Sequence, residues 1–117
     1  MFDRFMRLVL FFDLPVETKH QQREYRKFVK YLSNEGYIRL QYSVYCKLCI
    51  NKDSVITASK RVSSNSPKEG NIRYLVITEK QYLNIKNING VYSLQEQVTT
   101  TDRTVMIGGM NDEDNLR

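Results

Sequence analysis

Leu8-Val-Leu-Phe-Phe12, running into Asp13-Leu-Pro15, is the stretch that decides how this chain folds. Five apolar residues in succession leave no polar face, which suits a central strand covered by helices on at least one side. Pro15 ends the strand, and Glu17-Thr18 opens a helix. Within that helix Tyr25, Phe28, Val29 and Leu32 fall at i, i+3, i+4 and i+7, the spacing of an amphipathic stripe. Gly36, after Asn34-Glu35, is its expected terminator.

Residues 37–50 are rich in β-branched and aromatic side chains but too long for one strand, so two strands joined by a tight bend near Ser43 are expected. A second helix starts at Asn51-Lys-Asp53, with Val55, Ala58, Ser59 and Val62 on its inner side, and ends in the turn chemistry of Ser63-Ser-Asn-Ser-Pro67. Ile72-Arg-Tyr-Leu-Val-Ile-Thr78 is apolar enough to lie inside the sheet. Residues 79–88 read as a short helix with Tyr82, Leu83 and Ile85 as its apolar side, and residues 91–103 as a loop. Thr104-Val105-Met106-Ile107 reads as a further strand before Gly108-Gly109. The fold class is therefore α+β: a ferredoxin-like βαββαβ order with an additional C-terminal strand. Residues 1–110 form one domain, and the acidic tail of residues 111–117 is expected to be disordered.

Charge is unevenly spread. Residues 1–90 carry 16 Lys/Arg against 8 Asp/Glu, whereas residues 91–117 carry 2 against 5, which leaves the net +5. A basic body suits a phosphate-rich partner. No apolar run reaches the length of a membrane span. The N-terminus carries an early acid and no small-residue cleavage site, so the expected location is the cytosol.

The chemistry-bearing residues are few. Cys46 and Cys49 sit in strand-like sequence, where an offset of three points the thiols to opposite faces. With only His20 to add, a zinc site is not expected. A single histidine excludes a Ser/His/Asp arrangement, and the glycines form no phosphate loop. Asp13 stands where a central strand ends, a place where sheets present ligand-binding groups. A hard divalent cation would compensate its charge there; alternatively, Asp13 caps the turn into the first helix. Lys19, Arg23, Arg26, Lys27 and Lys30, at offsets of 4, 7, 8 and 11, run along one side of that helix next to the apolar stripe. Such a row can follow a phosphate backbone or be an ordinary solvated face.

In order and spacing, Met6-Arg-Leu-Val-Leu-Phe-Phe-Asp-Leu-Pro15, Tyr25-Arg-Lys-Phe28, Glu35-Gly-Tyr37 and Gln41-Tyr-Ser-Val-Tyr45 resemble the CRISPR-associated Cas two family. Asn65-Ser-Pro-Lys-Glu-Gly-Asn-Ile72 and Thr78-Glu-Lys-Gln81 resemble its type II-A variety. The likeness covers about residues 4–110. It implies a two-fold homodimer in which the strand at Thr104, Val105, Met106 and Ile107 completes the partner's sheet. It also implies that Asp13 is the family's strand-end aspartate, with Phe12 and Ser43 near the same site and one Mg²⁺ shared between two copies. The implied role is a bridge between dimers of the Cas one integrase, holding prespacer double-stranded DNA by its backbone during spacer acquisition. The alternative it implies is a Mg-dependent endonuclease acting on DNA or RNA through Asp13.

Overall fold

The computed structural model describes residues 5–90. The expected strand at Thr104–Ile107 and the acidic tail lie outside the described residues. The first strand, β1 (Met6–Asp13), is flanked on both sides, by β3 (Val44–Cys49) and by β4 (Asn71–Thr78), each antiparallel to it. A short β2 (Ile38–Gln41) extends the sheet beyond β3, giving the order β2-β3-β1-β4. Helices α1 (Lys19–Asn34) and α2 (Lys52–Ser64) interrupt the strands at the points the sequence marks, and a five-residue α3 (Glu79–Leu83) follows β4. The result is the α+β, ferredoxin-like arrangement, a four-stranded antiparallel sheet with three helices.

The apolar run of β1 explains its central place. Leu8, Leu10 and Phe12 point to the helical side and join Phe28, Leu32, Ala58 and Val62 in the main core. Val9 points the other way and packs with Cys46 and Tyr82 in a smaller cluster beneath α3. Burying a side chain the size of Leu or Phe contributes about 1.5–3 kcal/mol, so this one strand anchors both sides of the sheet. The two thiols, both buried, fall in different clusters, as the strand period requires.

Local signals fix the helix starts. Thr18 accepts a hydrogen bond from the Gln21 backbone while the Gln21 side chain accepts from the Thr18 backbone, a reciprocal cap. Asn51 and Ser54 repeat the device at α2, and Thr78 and Gln81 at α3. Asp13 is therefore not the cap of α1; Thr18 is. The bend at Ser43 is present, with Ser43 itself at φ 63°.

Two expectations change. Among the described strands β4 lies at the sheet edge rather than inside it, with Tyr74 and Leu75 about half exposed. Its apolar composition reads as interior, but only the pairing order tells which strands have two neighbours. The helix after β4 stops at Leu83, well short of residue 88. Tyr82 alone of its expected apolar side is buried; Leu83 and Ile85 are exposed.

Candidate functional site

The sheet has two unlike faces. One is covered by α1 and α2. Among the described residues the other is covered only at one end, by α3, which is held there by Arg7. This guanidinium donates to both carboxylate oxygens of Glu79, at 2.7 and 3.0 Å, and lies 4.1 Å from the Tyr82 ring centre. Burial opposes the charge on Arg7. The hydrogen bond and charge of Glu79 outweigh it, with Cys46 assisting, and hold the proton more tightly than usual. Nothing in the sequence singles out Arg7, because only the fold brings Glu79 back to it.

Beyond α3, the end of that face left open by the described residues carries Phe11, Val44 and Leu75, of which Phe11 and Leu75 are exposed. Farther along, the face turns polar. Asp13 stands directly opposite Asn71, and Phe11 opposite Arg73. Directly opposed residues of antiparallel strands share one face. These residues line an open groove of about 600 Å³. Asp13 is exposed, and among the described residues its carboxylate has no hydrogen-bond or ion-pair partner. The desolvation cost that would demand a cation beside it is thus absent in the single chain. Asn71 and Arg73 are the residues that sequence reasoning missed. Their relation to Asp13 exists only through strand register.

Two contacts hold the end of β1 that carries Asp13. The Phe12 amide donates to the Ser43 carbonyl at 3.1 Å. On the other side Gly70, at φ +94°, packs so tightly that a Cβ there would lie 2.7 Å from the Asp13 carbonyl oxygen. Phe12 turns to the helical side, its ring 5.2 Å from Phe28 edge to face and 5.7 Å from Tyr45 in a stack. The Tyr25 ring stacks on Tyr42 at 6.4 Å; burial, then hydrogen bonding with Tyr42, raises the Tyr25 pKa, while a hydrogen bond with Ser43 opposes it. Ser43 therefore reaches β1 through its backbone, and its side chain interacts with Tyr25.

Lys19, Arg23, Arg26, Lys27 and Lys30 are all exposed. At 3.6 residues per turn they centre on the side of α1 opposite Phe28 and Leu32, with the half-buried Val29 of the apolar stripe beside Arg26 on one border and the half-buried Glu24 and Tyr31 on the other. Among the described residues none of the five makes an ion pair, the two bridges being Arg7–Glu79 and Arg61–Glu35. Lys19 to Lys30 spans about 16 Å at 1.5 Å per residue. His20 is exposed. Among the described residues no group of three or more His, Cys, Asp or Glu could enclose a metal, and no helix is long and apolar enough to cross a membrane.

The model of the family described as CRISPR associated protein Cas2 matches residues 6–85. A protein named CRISPR-associated endoribonuclease Cas2 from Ligilactobacillus salivarius is 44% identical over 102 residues, covering 87% of this chain and all of that relative. A protein of the same name from Streptococcus mutans is 44% identical over 85 residues, 73% of this chain and 78% of the relative. One from Treponema denticola is 41% identical over 105 residues, again 87% of this chain and the whole relative.

Proposed function

The chain belongs to the CRISPR-associated protein Cas2 family, and from that premise we propose that it acts in spacer acquisition as a homodimer. In this role it bridges dimers of the Cas one integrase and holds prespacer duplex DNA by its backbone. The observation that carries this reading is the row of five cations on the outer face of α1, which make no ion pair among the described residues. Lysine and arginine on a surface of this kind gain affinity by releasing counterions from phosphates, without reading bases. The uncovered apolar end of the sheet supports a second copy as the occupant of that face, because exposed Phe and Leu side chains gain stability when they leave water. Two chains carry +10 formally, twice the +5 of one. Among the described strands β4 has no neighbour on its outer side, a suitable place for residues 104–107 of a second copy to pair.

The test is a titration of duplex DNA across salt concentrations. Replacing Arg23, Arg26 and Lys27 by Ala should weaken binding. It should also make the slope of log K against log salt less negative, by as much as about 5.4 if each of the six side chains replaced in a dimer meets one phosphate. An unchanged slope and affinity would remove the support for this reading.

A second reading follows from the names of the relatives, which describe endoribonucleases. In it Asp13 holds a Mg²⁺, which supplies an activated water and neutralises phosphate charge. Mg²⁺ is bound through one or two carboxylates with water filling its shell. One chain offers a single carboxylate at this strand end, with the Asn71 amide opposite, so the residues fit the ion only where two copies bring their Asp13 groups together. Asp13→Ala separates the readings. Under the bridging role it abolishes any RNA cleavage and leaves spacer acquisition intact; loss of acquisition with assembly intact favours the enzyme.

A further inference from the structure

Asp13 and Arg73 share the uncovered face of the sheet and line the same groove, yet they do not pair within the chain. The register explains why. Arg73 is opposite Phe11, two residues before Asp13 on β1, so the acid and the base are diagonal neighbours about 7–8 Å apart. Next to them, Phe11 and Leu75 expose apolar surface. The patch therefore carries one negative and one positive group beside a hydrophobic area. If a second copy covers it, Asp13 loses its water. A carboxylate in an interface is tolerated only when a cation with good geometry faces it.

We infer that in the homodimer Arg73 of one protomer is the counter-charge to Asp13 of the other, the pair being made twice by the two-fold axis. This rests on the homodimer reading above and adds to it the residue that completes the Asp13 site. A two-fold interface joins the same patch to itself, so residue i of one copy meets residue j of its partner and the reverse. An acid and a base side by side on one face satisfy that condition, because a two-fold axis lying in the interface midway between them brings each onto the other. The apolar pair supplies the burial, and the charges set the register.

Sedimentation equilibrium of the full chain at moderate salt, with and without EDTA, tests this. Asp13→Arg should weaken dimerisation at least about tenfold by setting two cations face to face, and Arg73→Asp should do the same with two carboxylates. The double exchange Asp13→Arg with Arg73→Asp should bring the dissociation constant back to within a few-fold of the unaltered chain, and EDTA should leave it unchanged. If the unaltered chain is dimeric but the double exchange is as weak as the sum of the single variants, the Arg73 assignment is wrong and the dimer stands. A constant that weakens in EDTA and ignores Arg73 assigns the compensation to a shared metal instead. A monomeric unaltered chain overturns the dimer reading and the pairing with it.

Discussion

Gly70 is a position where one methyl group should cost more than many core truncations. The backbone there has φ +94°, and an added Cβ would lie 2.7 Å from the Asp13 carbonyl oxygen, 2.8 Å from Leu14 Cδ2 and 3.1 Å from Leu14 Cα. The Leu14 methyl can swing aside; the two backbone atoms can move only by shifting the end of β1. Adopting a left-handed conformation costs an L-residue about 1–2 kcal/mol, and overpacking against fixed atoms adds about 1–3 kcal/mol. Gly36 provides the control. It has nearly the same φ, +92°, but its Cβ would touch only the tip of Lys47, at 3.4 Å. Gly36→Ala should therefore show the conformational cost alone, and Gly70→Ala a total of about 2–5 kcal/mol. With a urea m-value of about 2 kcal/mol/M, the Gly70 variant should lose about 1–2.5 M in midpoint. Both should be measured at one protein concentration, because dimerisation would make midpoints depend on it. If Gly70→Ala is no worse than Gly36→Ala, the close approach does not hold the Asp13 strand end, and the reasoning fails.

Glu79→Ala should destabilise the chain by about 2–4 kcal/mol, because it leaves the Arg7 guanidinium buried without its carboxylate. Glu79→Gln should cost less, since an amide oxygen still accepts one bond; urea unfolding that shows under about 0.5 kcal/mol for Glu79→Ala would contradict the role given to the pair. Glu35 links α1 to α2 through Arg61, and that hydrogen bond lowers its pKa below the usual 4.5 even though partial desolvation acts the other way. A depressed carboxylate stabilises above its unfolded-state pKa, and the gain is lost as pH falls through the lower folded-state value. Glu35→Gln should thus melt below the unaltered chain at pH 7, with the gap closing as the pH drops under about 4. A gap that persists at pH 2 would show that it does not come from the carboxylate charge.

The sequence by itself determined the elements and their order, for reasons local to the chain. The five-residue apolar run could be satisfied only as a central strand, and the i, i+3, i+4, i+7 spacing from Tyr25 to Leu32 forces one side of α1 inward. Thr18 with Gln21 and Asn51 with Ser54 start helices through contacts three residues apart. It also marked Asp13 and the five cations of α1, since a charge after an apolar strand and a periodic run of bases are visible without coordinates. Pairing was beyond its reach. That Asn71 stands opposite Asp13, that Arg73 shares their face and that Glu79 returns to Arg7 are facts of register, and register joins residues far apart in the chain. What the cations of α1 face is decided by packing for a related reason. Composition shows which residues are charged, but the direction each one faces is set by how the helix rolls onto the sheet, and Phe28 and Leu32 fix that roll only once Leu8, Leu10 and Phe12 are beneath them.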